Sequence, residues 1–357
     1  MTEPTTQSDS PQAAPAVPEI HVAPSPHVHD TSRTTRSMMI DVLIALLPVV
    51  GVAVYVFGLC VVRQIALCVG GCLVAELLFT ILRGRRPTLG DGSAAVTGVI
   101  LALSLPGPAP WYVGVIASFV AMGIGKVFFG GLGQNIFNPA MVGRAFVMLA
   151  FAGMVGASGY VLRPPASSAP ATAPAGDVRA DVMTQATPMS VAKKLARGET
   201  LGANEKMPSR MDLLLGTVNG SLGETSALAC LIGGLYLCLR RTASWQIPAG
   251  VLLAVVVIAG IAELVSQPQL DVVDHLLGGA ILFGAFFIAT DLVTSPITPK
   301  GKFLFGLGIG ALVMLLRTLS NYPEGVMFAV LVMNALVPLI NRWTIPKPVG
   351  GPMPSKT

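Results

Sequence analysis

Apolar residues dominate this chain in long runs separated by short polar breaks. A helix needs about 20 apolar residues to cross a bilayer. By that ruler ten segments qualify: 38–62, 64–82, 92–105, 111–129, 136–156, 226–239, 246–266, 273–290, 303–316 and 324–341. Three of them are short, namely 92–105, 226–239 and 303–316. Short spans dense in glycine belong to broken or re-entrant helices lined by protein. The pattern predicts an all-α polytopic membrane protein of about ten transmembrane helices, some short or broken.

The basic residues orient these spans. With the N-terminus inside, the inner segments carry Arg33 and Arg36, then Arg83, Arg85 and Arg86, then Lys126, Arg240 and Arg241, Lys300 and Lys302, and Arg342 and Lys347. The short outer loops carry Arg63 and Arg317. That asymmetry follows the positive-inside rule and supports the count of ten, because one missed span would scramble it. Both termini are then cytoplasmic and the long segment 157–225 is external. Its Lys193, Lys194 and Arg197 do not contradict this, since long loops are exempt from the rule.

The two halves also resemble each other. "LVAELL" (73–78) recurs as "GIAELV" (260–265), placing Glu76 and Glu263 187 positions apart. Each glutamate is followed by a polar break and a Gly-rich short span. Five spans per half invert the second half relative to the first, so two inverted five-helix repeats are expected. The parts are a disordered cytoplasmic tail (1–36), a first membrane half (37–156), an external linker (157–224), a second membrane half (225–343) and a short cytoplasmic tail (344–357).

Composition agrees. Of 357 residues, 53% are hydrophobic and 11% charged, against about 25% charged in a soluble domain. The net charge of +5 resides in short clusters between apolar runs and aromatics are sparse, so nothing points to nucleic acid. His21, His27 and His29 fall in the Pro/Ser/Thr/Ala-rich tail and read as solvated. The five cysteines lie in or beside apolar runs without a CxxC motif. Cys68 and Cys72 are one helical turn apart and read as small packing residues. There is no Walker loop, HExxH, GxSxG elbow or dinucleotide GxGxxG after a strand.

The stretch "NGSLGETSALACLIGG" (219–234) places hydroxyl residues just before an apolar span. Helix capping accounts for that locally. The strings "GDGSAAVTGVILALSLP" (90–106), "FFGGLGQNIFNPAMVGRAFVML" (128–149) and "FFIATDLVTSP" (286–296) change the picture. They closely resemble the RnfD family, membrane subunits of Rnf electron-transport complexes. More distantly they are similar to the NqrB subunit of the sodium-translocating NADH:quinone reductase. The resemblance covers roughly 38–345.

What this resemblance implies is a flavin-bearing membrane subunit of a complex that passes electrons between ferredoxin and NAD, coupled to movement of Na+ or H+. One FMN is joined through its phosphate to a threonine hydroxyl just before the sixth span, by a flavin transferase. The attachment motif resembles Asp-x-x-(Ser/Thr)-Gly-Ala-Thr, and the register here reads Asn219-Gly220-Ser221-Leu222-Gly223-Glu224-Thr225. Gly223 and Thr225 match, while Asn219, Leu222 and Glu224 depart from the motif. Thr225 is the expected acceptor, with Ser226 and Ser221 as fallbacks. Gly220 and Gly223 would loosen the loop for a modifying enzyme, a phosphate there would lie near free helix N–H groups, and Glu224 is expected to face solvent.

The same resemblance implies a non-covalent riboflavin near Asn135 and Asn138, whose amides suit the edge of an isoalloxazine ring. Alternatively, Asn138-Pro139 simply turns the chain into the fifth span. Glu76 and Glu263 are candidates for an ion path, or snorkel to the interface. Asp91 and Asp291 would cap half-helices or touch a cofactor. Arg144 and Lys126 would offset the charge of a reduced flavin. NAD and ferredoxin would bind other subunits of the complex, and the membrane would be the bacterial inner membrane. The competing class is a channel or secondary transporter of the same architecture with no redox role.

Overall fold

Proline, glycine and charged residues set the helix ends in this chain. The computed structural model describes residues 34–85, 89–107, 109–155, 208–216, 218, 220–265, 271–319 and 325–346. The N-terminal tail with its three histidines, most of the 157–224 linker, Asn219 and most of the C-terminal tail lie outside the described residues. All described helices belong to one unit, Thr35–Thr357.

In the first half, α1 is Thr35–Phe57, α2 is Cys60–Leu82 and α3 is Ser93–Ser104. Helix α4, Trp111–Met122, runs on through a wider π turn at Gly123–Val127. Helix α5 is Pro139–Ala150, and after a break at Phe151 comes the single turn α6, Ala152–Val155. The short α7, Arg210–Leu215, precedes the second half. There α8 is Ala227–Leu239, α9 is Gln246–Val265 and α10 is Val272–Leu277. The next helix, α11, is Ile281–Phe283, continuing as a π turn at Gly284–Ile288. Helices α12, Pro299–Leu319, and α13, Val326–Thr344, complete the bundle. Among the described residues there is no strand.

Every expected span is therefore helical, and five (α1, α2, α9, α12 and α13) are long and apolar enough to cross a membrane alone. Two of the three spans expected to be short are so, α3 and α8. The third is corrected: 303–316 lies inside the 21-residue α12. Its first turn carries Lys300 and Lys302, which hydropathy discards although a lysine stem can run along a helix to water. Conversely, 273–290 is split at Gly278-Gly279 between α10 and α11. The buried Arg317 donates to the carbonyls of His275 and Gly278, both at 2.8 Å, so backbone groups freed by the break are satisfied.

Contacts between helix ends show the topology. Met39 lies against Gly92 at the start of α3, and Arg83 at the end of α2 donates to the Val127 carbonyl at the end of α4. Asp41 of α1 meets Arg240 and Thr242 just beyond α8. Lys302 of α12 donates to Ser244, before α9, at 2.7 Å. Ile297 N donates to Asn341, in the last turn of α13, at 3.1 Å. One end of the bundle thus gathers Arg83, Arg85, Arg240, Arg241, Lys300, Lys302 and Arg342. The opposite end holds Arg63, Arg210 and Arg317.

Helices α1, α3, α5, α9 and α12 start at this basic end, while α2, α4, α8, the α10–α11 span and α13 finish there. A shift of 187 residues carries Cys60, Ser93, Trp111 and Pro139 to within one residue of the starts of α9, α11, α12 and α13. Each helix is antiparallel to its counterpart, which is an inverted repeat.

Helices pack closely through glycine. A side chain at Gly306 would begin 2.3 Å from the Ile247 carbonyl, and one at Gly250 would begin 2.6 Å from the Phe303 carbonyl, so α9 and α12 touch backbone to backbone. Outward faces stay apolar: Leu82, Leu239 and Leu264 are 71%, 82% and 88% exposed. A surface of this kind is stable against lipid.

Candidate functional site

The short helix α3 stops within the bundle, leaving its last carbonyls without helical partners. The segment before α8 supplies them. Gly223 N donates to the Leu103 carbonyl at 2.7 Å, and Leu222 N to that of Leu105 at 3.3 Å. Gly223 is required by this approach: a Cβ there would lie 3.0 Å from the Leu103 Cβ and 3.1 Å from the Phe283 ring. The loop is therefore seated at this position, where glycine was expected to loosen it.

Three hydroxyls in this loop have different fates. Ser226 is the N-cap of α8, accepting from Ala229 N at 3.2 Å and donating to the Leu214 carbonyl at 2.9 Å. Ser221 accepts from Arg144 at 3.3 Å. Among the described residues none holds the Thr225 hydroxyl in a hydrogen bond, although Thr225 is only 2% exposed. An apolar cavity of about 370 Å³, lined by Pro48, Val52, Leu215 and Ile232, reaches Ser226.

Glu224 is corrected. It is buried and pairs with Arg144, Nη1 to Oε1 3.4 Å, rather than facing solvent. Arg144 belongs to the second turn of α5 among apolar helices, where an unpaired cation is costly and draws an anion inward. Arg144 is consequently committed to this loop and not to the basic end.

A second locus lies at that basic end, between the two halves. A cleft there is lined by Ser93, Lys126, Asn135, Asn138, Thr242 and Asp291, with apolar walls from α1 and α8. Asn138 is the N-cap of α5, accepting from Met141 N at 3.3 Å, while its amide donates to the Ile288 carbonyl at 3.2 Å. With its amide turned to satisfy both groups, Asn334 of α13 donates to the Val330 carbonyl at 3.2 Å and accepts from Asn138 N at 3.0 Å. Asn138 thus clamps the halves together. Asn135 differs: its amide donates to the Phe137 carbonyl at 3.3 Å, and its buried Oδ1 has no partner among the described residues. Asp91 accepts from Ser93 N and Oγ, 2.8 and 2.6 Å, at the start of α3. Asp291 holds its own turn through Val293 N and Thr294 Oγ1, at 3.2 and 3.0 Å.

Lys126, in the π turn after α4, reaches Glu76 Oε1 and Ser93 Oγ, each at 2.6 Å, with both ionic side chains nearly fully buried. Glu263 is exposed near the end of α9. Inversion places these two glutamates at opposite ends of the bundle, so the structure does not bring them together.

Sequence reading missed Asp41. It is buried in α1 and gathers Arg240 at 3.3 Å, Thr242 Oγ1 at 3.0 Å and the Tyr236 hydroxyl at 3.3 Å, tying α1 to α8. A charged residue inside an apolar run was the available signal. Cys68 and Cys72 are buried free thiols.

Thr225 and the cleft flank α8 at its two ends. Its 13 residues span about 20 Å at 1.5 Å per residue.

Comparison with known proteins covers both loci. The D subunit of the Na(+)-translocating ferredoxin:NAD(+) oxidoreductase complex of Acetobacterium woodii is 41% identical over 325 residues, 90% of this chain and 93% of the relative. Its counterpart in the proton-translocating ferredoxin:NAD(+) oxidoreductase complex of Clostridium ljungdahlii is 37% identical over 336 residues, covering 92% and 96%. The counterpart in an ion-translocating oxidoreductase complex of Stutzerimonas stutzeri is 41% identical over 327 residues, covering 88% and 91%. The model of the NQR2, RnfD, RnfE family matches residues 21–350, and with it the chain belongs to that family.

Proposed function

We propose that this chain is the flavin-carrying, RnfD-type subunit of an Rnf complex, which couples electron transfer between ferredoxin and NAD to translocation of Na+ or H+ across the bacterial inner membrane. The relatives' names and the family membership support the complex. For the cofactor, the observation that carries the reading is the Thr225 hydroxyl, free of hydrogen bonds among the described residues and beside two hydroxyls already engaged. It adjoins the N-terminus of a 13-residue helix, where backbone N–H groups favour a phosphate, and an apolar cavity reaches the neighbouring Ser226. FMN esterified there would supply one-electron and two-electron redox chemistry. The chain's own part is to hold the phosphate and exclude water.

The cleft fits a second, non-covalent flavin, riboflavin, on one specific ground. Asn135 Oδ1 is a buried acceptor without a partner among the described residues, and an unmatched acceptor favours a ligand N–H. Asn138 serves the clamp, so Asn135 is the amide that reads the ligand. The basic end is read as cytoplasmic, which places both termini inside and loop 157–225 outside. Thr225 then belongs to the outer half of the protein and the cleft to the inner half.

The test uses the complex from a host containing the flavin transferase. On a denaturing gel under ultraviolet light, wild type gives a fluorescent band, Thr225→Ser keeps it in part and Thr225→Ala is dark. Mass spectrometry of the 211–239 peptide locates the adduct. A dark wild-type band with an unmodified peptide refutes the covalent flavin and leaves the transporter reading.

A further inference from the structure

Away from both loci, the basic end of α2 and α4 carries a two-part recess on the outside of the bundle. Its apolar part is a groove of about 430 Å³ between the two helices, lined by Phe79, Leu82, Phe119, Ile124 and Phe128. Leu82, Ile124 and Phe128 are 71%, 53% and 74% exposed. The groove floor is shaped by the π turn: Phe79 stacks edge-on to Phe119, centroids 6.1 Å apart, and its ring occupies the space a side chain at Gly123 would need. Its polar part is a recess of about 180 Å³ lined by Thr80, Arg83, Arg85, Gly130 and Gly131. Arg83 and Val127 form the wall common to both parts.

The charge on this recess is not balanced locally. Arg83 donates to the Val127 carbonyl and Arg85 to the Gly130 carbonyl, the latter at 2.8 Å. Both acceptors are neutral, so the guanidiniums are oriented but not neutralised. Neither forms an ion pair with a carboxylate among the described residues. Glu76 also lines the recess, but its charge is matched by Lys126 at 2.6 Å. A guanidinium offers several N–H donors in a fixed fork, and those not spent on the carbonyls suit phosphate oxygens.

We propose that this recess is a binding site for an anionic phospholipid, with the phosphate on Arg83 and Arg85 and an acyl chain in the Phe79–Phe128 groove. Three observations combine. The groove opens outward from the bundle among exposed apolar side chains, a surface that suits a lipid tail. It runs directly into the arginine recess, at the end of the 23-residue α2, and the ends of a spanning helix meet the headgroups. The excess charge selects an anionic headgroup over a zwitterionic one, as basic pockets at cytoplasmic helix ends do.

The experiment uses the full-length chain in vesicles containing photoreactive phosphatidylglycerol or photoreactive phosphatidylcholine with the same acyl chain. Crosslinked peptides are mapped by mass spectrometry. The expected result is labelling at Leu82, Ile124 and Phe128, at least fivefold stronger from phosphatidylglycerol. R83Q/R85Q abolishes that preference and R83K/R85K retains it. Because Arg83 also supports the end of α4, R85Q alone serves as the variant that leaves that support intact, and it is expected to reduce the preference at least twofold. Equal labelling by the two lipids in wild type overturns the proposal. So does labelling that avoids the groove, or an undiminished preference in R85Q and R83Q/R85Q.

Discussion

The place of Thr225 just before a helix start was legible, because hydroxyl residues there precede an apolar run. The company it keeps was not. Arg144 and Glu224 are 80 positions apart, and no local pattern announces that a cation on α5 draws the loop inward. Their pairing gives a sharp expectation. Arg144→Met alone removes the cation that faces the buried Glu224 carboxylate and should cost about 3–5 kcal/mol. The double variant Arg144→Met/Glu224→Gln should recover most of that loss, as read by thermal unfolding of the detergent-solubilised protein. Non-recovery would mean that Arg144 serves something other than Glu224. The two asparagines divide in the same way. Their "NxxN" spacing suggested a pair of equals, whereas the cap at Met141 and the contacts to Ile288 and Asn334 consume Asn138 and leave the Asn135 oxygen unmatched among the described residues.

At the scale of helices, hydropathy located every span, because the bilayer imposes one length and one chemistry on all of them. It misjudged the ends wherever charge and backbone geometry compete with apolar content. Lysines at the start of α12 hid its first turn, and the break between α10 and α11 depends on Arg317, about 40 residues away, filling the freed carbonyls. Glycine positions were visible, but not which of them hold helices together. Gly306→Val drives a side chain into the Ile247 carbonyl and should sharply reduce the yield of monodisperse protein. Gly260→Val, on the same helix pair, meets open space within the chain and should leave the yield near wild type. Size-exclusion profiles after identical expression distinguish the two, and equal profiles would refute the backbone contact.

For the whole molecule, the repeat was suggested by a recurring Ala-Glu-Leu string with a polar break and a Gly-rich span after it, and is established by alternating helix directions at one shift of 187 residues. The gathering of basic residues at one end makes orientation testable. In intact cells Arg63→Cys should react with a membrane-impermeant maleimide above the wild-type background. Lys300→Cys should react only after permeabilisation, and the reverse order would turn the protein over. The carbonyls of Leu103 and Leu105 find their partners in the same loop that ends at Thr225, so the segment proposed to receive the flavin is also the stopper of α3. On the reading proposed above, attachment to a finished bundle would require uncorking the stopper and stranding those carbonyls in hydrocarbon. Loading is then a race against closure, won while the nascent second half is still wet, and a chain that seals first stays colourless.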